Sequence, residues 1–416
     1  MKRIFTLVAL ILMLGSNLVT GQDTTDLRLI GIGGWGNGGD DDLLFFNADT
    51  SDFLSIKSNI NSNGSMTGYA LFVNPADNLL YGVADPDDDA GTSRKLYKVN
   101  PLKGQFDFVM DLGDWTVDAA ITPEGRLFTI DGFGGANPGA IYEVDLVNQT
   151  QSQVAVSSVT DTMPRTMTYN PEDLSLYIYS AYAGVEVDSL YIMKVDTWNE
   201  TSQACAVDGE IHGSYLFDNQ ILLSSSTGEL VQIDLENGYD GVTQVISSYA
   251  VSDIEEIGLL KEKKDIGVCL NEPIDVVLHA KYTSSTYAWV KDGELIMQAS
   301  ADSLIVMEYG KYQLLTEIGS SGKYMRSEEL EVWPMNVPEI AISATDSLWS
   351  IGDSITLSAT PGGISQWYVN GAIIPGADSD VYVATAPGYY NMLKINKKGC
   401  SDSAALGIYI TSDPFY

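Results

Sequence analysis

The stretch Lys95 to Val109, KLYKVNPLKGQFDFV, recurs with variation along the first part of the chain. It consists of an alternating strand, a polar turn and a second alternating strand, which is the pattern of a β-hairpin. The five copies share this pattern, and their turns begin at Asn47, Asn100, Asp145, Asp196 and Asp234. The repeat predicts an array of similar antiparallel units.

Each later copy follows another pair of predicted strands joined by a tight turn. These pairs are Tyr69 to Asp85, Ala119 to Asp131, Thr166 to Ser180 and Ser214 to Ser226. A hairpin and its preceding strand pair give four short strands per unit of roughly 40 to 50 residues, which is typical of a propeller blade. The sequence therefore predicts an all-β, five-bladed β-propeller.

The first copy is incomplete, because only the strand Leu27 to Gly33 precedes it. The strand-like segment Glu255 to Lys261 follows the last unit and could pair beside Leu27 to Gly33. This pairing would close the ring and remove an exposed sheet edge. The propeller is thus predicted to be closed by a C-terminal strand, with six blades as the alternative if the irregular first unit hides another.

After Lys264 the pattern changes to two similar modules. Three features recur at one interval: Trp289 and Trp367, Gly310 and Gly388, and Tyr312 and Tyr390. A mid-module Trp and a late Gly-x-Tyr are typical of Ig-like β-sandwiches, and both Trp side chains are predicted to lie in the core. The predicted divisions are a signal peptide at 1–21, the propeller at 22–264, and Ig-like domains at 265–335 and 336–416.

The composition limits the classes of partner. The 416 residues are 45% hydrophobic and carry a formal net charge of -34. The chain can therefore fill folded cores, but it repels nucleic acid and anionic lipid. Lys2 and Arg3 precede an apolar run from Ile4 to Leu14, which is the pattern of a secretory signal peptide and is too short to span a bilayer. We expect a secreted or cell-surface protein with no nucleic-acid partner and no membrane insertion.

The first region resembles secreted β-propeller domains of NHL-like or lactonase-like repeat style, found in surface proteins of Bacteroidetes-type bacteria. The second resembles bacterial Ig-like modules, on the phrases WVKDG at 289–293 and WYVNG at 367–371. Such modules often carry one Cys in the first strand and another near the last hairpin. Here Cys269 belongs to the first module and Cys400 to the second, so we expect no disulfide within either module. We also expect no bond between the two, because the near poles of consecutive sandwiches would be far beyond the ~7 Å limit between α-carbons. Cys205 has no assigned partner.

Binding is predicted on the propeller face formed by the loops that join second to third strands. These loops carry Gly, Asp and exposed aromatic residues that could stack on a sugar or a peptide. The candidate binding residues are Trp35, Phe133, Tyr182 and Asp131 in these loops, and Trp115 in a loop that links successive blades on the same face. The alternative is that Gly and Asp are present only because surface turns favour them.

Two aspartate runs in these loops could hold calcium, because a hard cation prefers several carboxylate oxygens. The runs contain Asp40, Asp41 and Asp42, and Asp85, Asp87 and Asp89. Neither matches the spaced pattern of a calcium loop, so solvated acidic loops are the alternative. No other cofactor is predicted.

A catalytic set is less well indicated. Asp118, Arg165 and His212 are at the starts of predicted inner strands and could converge at the channel mouth for acid–base chemistry, although polar lining of a channel explains them equally well. The leading hypothesis is a secreted or cell-surface, non-catalytic binding or adhesion protein that recognises an extracellular glycan or protein, with Ig-like spacers. The alternatives are a metal-dependent lactonase-like or lyase-like enzyme and a structural component of an envelope assembly.

Overall fold

The computed structural model describes residues 24–25, 29–33, 42–46, 53–57, 67–86, 94–113, 115–132, 137–159, 166–180, 189–204, 211–217, 220–225, 229–235, 238–245, 251–256, 258–262, 264–296, 300–404 and 407–412. These residues form an all-β structure without an α-helix, and one 3-10 turn spans Pro101–Lys103. Within the same residues, no helix is long and apolar enough to cross a membrane.

The chain divides into two compact units. Unit 1 comprises Met1–Lys261, His279–Leu304 and Gln313–Glu328. Unit 2 comprises Glu262–Leu278, Ile305–Tyr312 and Glu329–Tyr416.

Strands are numbered in chain order. Up to residue 256 they are β1 (Thr24–Thr25), β2 (Leu29–Gly33), β3 (Asp42–Phe46), β4 (Phe53–Lys57), β5 (Thr67–Asn74), β6 (Leu79–Asp85), β7 (Arg94–Asn100), β8 (Gln105–Gly113), β9 (Thr116–Ile121), β10 (Leu127–Asp131), β11 (Ala140–Asp145), β12 (Thr150–Val156), β13 (Thr166–Asn170), β14 (Ser175–Ser180), β15 (Ser189–Lys194), β16 (Glu200–Ala204), β17 (Ile211–Phe217), β18 (Gln220–Ser225), β19 (Glu229–Asp234), β20 (Gly238–Val245) and β21 (Val251–Glu256).

Strands β2 to β21 form five four-stranded antiparallel sheets. Sheets 2 to 5 are β5-β6-β7-β8, β9-β10-β11-β12, β13-β14-β15-β16 and β17-β18-β19-β20, and sheet 1 has the order β21-β2-β3-β4. The first strands of the sheets, called the inner strands, contact one another in the order β21, β5, β9, β13, β17 and again β21. The arrangement is β-propeller-like, in agreement with the four-strand repeat of the sequence.

Sheet 1 contains a strand from the far end of the repeats. Val251–Glu256 pairs antiparallel with Leu29–Gly33, so that Ile32 lies opposite Asp253. The strand begins earlier than the expected Glu255 to Lys261. The reason is that the later residues pair elsewhere: Leu260 forms a bridge with Ala280, and Lys261 N–H donates to the His279 carbonyl.

Apolar side chains pack each sheet against the next. Between sheets 3 and 4, buried Ile130 and Ile141 are in one cluster with Met167 and Ile178. Burial of one such side chain stabilises the fold by about 1.5–3 kcal/mol. Sheets 1 and 2 approach so closely that a Cβ at Gly68 would lie 2.2 Å from Ile32 Cγ1, which explains a glycine in mid-strand.

The segment after Leu260 packs on sheet 2 within unit 1. The Leu80 N–H donates to the buried Tyr282 hydroxyl (3.2 Å), and the Asn100 side-chain amide donates to the Thr283 carbonyl (2.9 Å). The Gly319 N–H donates to the Leu102 carbonyl (2.8 Å). These bonds join the segment to Leu80 on β6, to Asn100 at the end of β7 and to Leu102 in the turn between β7 and β8.

The remaining strands are β22 (Ile266–Cys269), β23 (Val276–His279), β24 (Ala288–Lys291), β25 (Glu294–Leu295), β26 (Ser303–Val306), β27 (Gly310–Glu317), β28 (Tyr324–Arg326), β29 (Leu330–Met335), β30 (Ile342–Ala344), β31 (Leu348–Trp349), β32 (Ile355–Ala359), β33 (Ile364–Val369), β34 (Ala372–Ile373), β35 (Val381–Ala384), β36 (Gly388–Ile395), β37 (Ser401–Ser403) and β38 (Ile408–Ser412). From residue 342 onward they form two sheets. One is β30-β32-β35, and the other is β31-β38-β36-β33-β34 with β37 paired to β36.

The two predicted core tryptophans are confirmed as core residues, since Trp289 and Trp367 are both 0% exposed. Each indole N–H donates to a carbonyl 12 residues downstream, that of Ala301 (2.9 Å) or Ser379 (2.8 Å). The recurring tyrosines also match: the hydroxyls of Tyr312 and Tyr390 each donate to the carbonyl four residues upstream. The two segments thus repeat contacts as well as residues.

The expectation about Cys269 and Cys400 was wrong. They form a disulfide with α-carbons 5.6 Å apart, within unit 2. The error came from placing the two cysteines a module's length apart. Strand β22 runs parallel to β29, so Cys269 lies opposite Met335 at the end of that strand. The Cys400 Sγ atom also lies beside the Met335 carbonyl, so both cysteines meet where one module leads into the next. Cys205 lies outside the described residues.

Candidate functional site

A cavity of about 260 Å³ lies in unit 1 towards the C-terminal ends of the inner strands. All five inner strands contribute to its wall, and they are represented by Phe72, Ala120, Thr168, Leu216 and Glu255. The cavity is therefore built by the repeat itself and not by one inserted loop.

Asn-Pro turns shape the rim of this cavity on two strands. The side chain of Asn74 accepts a hydrogen bond from the Ala76 N–H (3.0 Å), and that of Asn170 accepts one from the Glu172 N–H (2.9 Å). An Asn that bonds the backbone two residues on is a strong turn former, and Pro then fixes φ at the next position. The prolines that follow, Pro75 and Pro171, line the cavity.

The cavity has an acidic character. Among its described lining residues, the charged ones are Asp253 and Glu255, both on β21, and neither Lys, Arg nor His contributes. Tyr169, Tyr215 and Phe72 add aromatic surface. The pocket thus combines apolar and aromatic walls with two acidic side chains on one side.

A row of buried polar side chains crosses the inner strands beneath this cavity. Asp118, Thr166 and Ser214 follow one another at intervals of 48 residues on β9, β13 and β17. The Thr166 hydroxyl donates to Asp118 Oδ2 (2.7 Å) and lies 2.5 Å from Ser214 Oγ, which donates to it in turn. The Asp118 side chain also hydrogen-bonds that of Asp253 on β21. We call these four residues the polar row.

The two carboxyl groups of the polar row also accept hydrogen bonds from backbone N–H groups of neighbouring strands. Asp118 Oδ2 accepts from the Met167 N–H (2.6 Å), and Asp253 Oδ2 accepts from the Leu71 N–H (2.6 Å). Each carboxylate thereby joins its own inner strand to the next one. Ala70 on β5, which precedes Asp118 by the same 48-residue interval, brings no polar side chain to the row.

Burial raises the pKa of Asp118 from 3.8 to about 8, and the hydrogen bonds from Thr166, Met167, Ala119 and the Asp253 side chain oppose that rise. Asp118 is 0% exposed and Asp253 is 3% exposed. Two carboxyl groups in contact in a dry interior cannot both ionise easily, so the pair retains a proton near neutral pH.

The predicted catalytic set is only partly described. Asp118 is joined to Thr166 and Ser214, whereas Arg165 lies outside the described residues and His212 is half-buried on β17. Sequence reasoning therefore missed Thr166, Ser214 and Asp253. The exact 48-residue interval was the signal that would have found the first two, because equivalent positions of a repeat come together at the axis.

Asp131 and Trp115, the described members of the predicted binding set, lie at the opposite end of β9 from the cavity. Strand pairing places Asp131 opposite Thr116, at the start of β9. Trp115 is half-buried there, and its carbonyl accepts from the Gly132 N–H (2.8 Å). Desolvation, aided by Asp131, raises the pKa of Tyr142. Trp35, Phe133 and Tyr182 lie outside the described residues.

The acidic runs are also only partly described. Asp85 is buried and pairs with the Arg94 guanidinium, which lies 4.1 Å from the centre of the Tyr69 ring. Asp42 lies on β3, with its backbone opposite Lys57. Asp40, Asp41, Asp87 and Asp89 lie outside the described residues. Within the part of the chain that is described, no group of three or more His, Cys, Asp or Glu residues is placed to hold a metal ion.

No protein-family model matches the chain, and no curated protein matches it. Similar solved structures include a nidogen/laminin complex, with 9% identity over 72% of this chain and 98% of that chain and a TM-score of 0.38. Kuenenia stuttgartiensis hydrazine synthase has 13% identity over 75% and 89%, with a TM-score of 0.33. An oligogalacturonate lyase in complex with manganese has 13% identity over 50% and 62%, with a TM-score of 0.31. TM-scores this low say nothing about the function of the chain.

Proposed function

We propose that the chain is a secreted or cell-surface, non-catalytic binding protein. Its propeller would have five blades closed by the C-terminal strand β21, and two Ig-like modules would follow. The pairing of β21 with β2 and the cyclic contacts of the inner strands support the closed ring. The repeated Trp and Tyr contacts support two modules of one kind.

The ligand of the cavity is a protein that presents a basic side chain. The observation that carries this proposal is that Asp253 and Glu255, both on β21, are the charged side chains among the described residues that line the cavity. A guanidinium group can donate several hydrogen bonds to carboxylates, and it stacks on aromatic rings such as those of Tyr169 and Tyr215. The net charge of -34 would also steer a basic partner towards the protein.

The catalytic alternative has less support from the described residues. Acid–base catalysis requires the acid to reach a substrate atom within hydrogen-bond distance. Asp118 is 0% exposed, and its two oxygens already accept bonds from Ala119, Thr166 and Met167. Its raised pKa thus belongs to a group that joins strands within the fold.

The test is calorimetric titration of the purified full chain with a blocked pentapeptide, Gly-Gly-Arg-Gly-Gly, and its citrulline counterpart. Citrulline keeps the shape of arginine and removes its charge. We expect the arginine peptide to bind more tightly, and Glu255→Gln to weaken it about tenfold, the size of one hydrogen bond to a charged group.

The matched control is Glu339→Gln, which removes the same charge at an exposed residue of unit 2. It should bind as the wild type does. Equal binding of both peptides, or an equal effect of both substitutions, would overturn the proposal, since only overall charge would then matter. Absence of binding would also overturn it and would favour a structural component of an envelope assembly.

A further inference from the structure

The second module has two tyrosines side by side on the outer face of its larger sheet. Tyr389 on β36 lies directly opposite Tyr409 on β38. Their ring centres are 4.5 Å apart with an angle of 41° between the planes, and Tyr409 is 70% exposed. The Gly407 N–H donates to the Tyr389 hydroxyl (3.1 Å), which fixes that ring.

The same face continues across the neighbouring strands. Buried and half-buried residues alternate along β36, and the buried ones are Tyr390, Met392 and Lys394. The residues between them therefore point outward. On the neighbouring strand β33, Tyr368 lies opposite Asn391 and Ile364 lies opposite Ile395. We call the outward residues Tyr389, Tyr409, Asn391, Tyr368, Ile395 and Ile364 the tyrosine face.

The fold does not require these tyrosines, as the first module shows. Its equivalent of Tyr390 is Tyr312, with the same hydroxyl bond to a carbonyl four residues upstream. Lys311 precedes Tyr312 as Tyr389 precedes Tyr390. It lies opposite Glu331, just as Tyr389 lies opposite Tyr409. The Lys311 ammonium pairs with Glu329 at 2.6 Å. Two charged side chains, Lys311 and Glu331, thus occupy the strand positions that the second module gives to Tyr389 and Tyr409.

The tyrosine face is uncharged, although the chain carries a net charge of -34. Leu393 continues it, opposite Gln366 on β33 and Ser403 on β37, again without charge. A second copy of the chain would bring another -34 to the contact, and an anionic polymer would be repelled in the same way. Because the face itself offers no carboxylate to a cationic ligand, the charge pattern favours a neutral occupant.

We propose that the tyrosine face binds a neutral polysaccharide, independently of the cavity in unit 1. Aromatic rings pack against the C–H faces of sugar rings, while hydroxyl and amide groups bond the sugar hydroxyls; Tyr389, Tyr409, Tyr368 and Asn391 supply both. Tyr389 and Ile395 are six residues apart on one strand, which spans roughly 20 Å at about 3.3 Å per residue. The flat face is thus long enough for several linked sugars.

The test is retention of the full chain on insoluble cellulose, chitin and starch, measured as bound fraction against protein concentration. The variant Tyr389→Lys with Tyr409→Glu gives the second module the two charged residues, Lys311 and Glu331, that lie opposite each other in the first module. Because this pair already occupies the same strand positions in a related sheet, the variant should keep the fold. We expect wild-type retention on at least one polysaccharide and a loss of about tenfold or more in the variant.

The control is Lys311→Ala with Glu331→Ala, which changes the equivalent face of the first module and should leave retention unchanged. Tyr409→Ala is the second test variant, and circular dichroism verifies the fold of each protein. The proposal is overturned if the wild type binds none of the three polysaccharides, or if the folded variants are retained as well as the wild type. It is also overturned if sedimentation shows a wild-type dimer that these substitutions dissociate, since a second copy would then occupy the face.

Discussion

The side chains of Asp118 and Asp253 hydrogen-bond to each other, although they belong to the first strands of two different sheets. Through Thr166 and Ser214, the bond continues to two further inner strands, and Asp253 adds β5 through the Leu71 N–H. All five inner strands are thus linked by one buried polar network. Such a network stabilises the fold only while each member keeps its partners.

The first prediction concerns pH. The folded-state pKa of Asp118 is raised from 3.8 to about 8, so the folded protein binds a proton that the unfolded chain releases. The contribution of Asp118 to stability should therefore be fully present below about pH 4 and be lost as pH rises to about 8, by at most about 1.4 kcal/mol per pH unit. Urea unfolding at several pH values measures the slope.

Asp118→Asn separates this effect from general charge repulsion. The amide cannot ionise, and it can still accept from Thr166 and donate to Asp253. We expect the variant to show a flatter pH profile than the wild type between pH 4 and 8. Superimposable profiles would mean that Asp118 does not hold the proton.

The second prediction concerns Thr166, whose hydroxyl bonds both Asp118 and Ser214. Thr166→Val keeps the shape but removes the donor, so the free energy of unfolding should fall by about 1–3 kcal/mol. Thr166→Ser restores the hydroxyl and should recover most of the loss. If Thr166→Ser is as unstable as Thr166→Val, methyl packing and not the hydrogen bond is responsible.

The sequence predicted the strand repeat better than the polar row, and the reason is physical. Strand alternation and turn residues are local signals, so units such as Tyr69 to Asp85 can be identified without knowing their neighbours. Which side chains meet at the axis depends on the register between sheets, and a shift of one residue changes the partner entirely. Asp118 was therefore grouped with Arg165 and His212 as a catalytic candidate, and its network with Thr166 and Ser214 was not predicted.

The tyrosine face was missed for a different reason. The modules were aligned by what they share, Trp289 with Trp367 and Tyr312 with Tyr390, and these are core positions. The functional candidates are the outward positions at which the modules differ, Tyr389 and Tyr409. When both faces of a strand carry apolar side chains, the sequence pattern does not separate outward from inward residues. The exposure of each side chain in the structure is then needed.

The third prediction concerns the contact of Tyr282 with sheet 2. Burial raises the pKa of Tyr282, and its hydroxyl accepts from the Leu80 N–H. Tyr282→Phe would leave that buried N–H without its partner, which costs about 1–3 kcal/mol. Equilibrium unfolding should show this loss, whereas Tyr309→Phe, at a half-buried tyrosine, should change stability by less than about 0.5 kcal/mol. Equal effects would show that the Leu80 bond is not the cause.

The fourth prediction concerns the disulfide between Cys269 and Cys400, which closes a segment with a sequence separation of 131. Such a crosslink restricts the unfolded chain, and its removal typically costs about 2–4 kcal/mol. Cys269→Ser with Cys400→Ser should therefore lower the melting temperature by several degrees, and a reductant should lower that of the wild type to a similar value. Cys205→Ser is the control and should retain the response to reductant.

Thiol titration provides an independent check of the same bond. The chain has three cysteines, so the denatured, unreduced monomer should show one thiol, and the reduced protein should show three. Because Cys400 is 0% exposed and Cys269 is 7% exposed, reduction of the native protein should be slow compared with reduction in denaturant. Three thiols without reductant would show that the cysteines are not joined, and the melting temperature of the double variant should then equal that of the wild type.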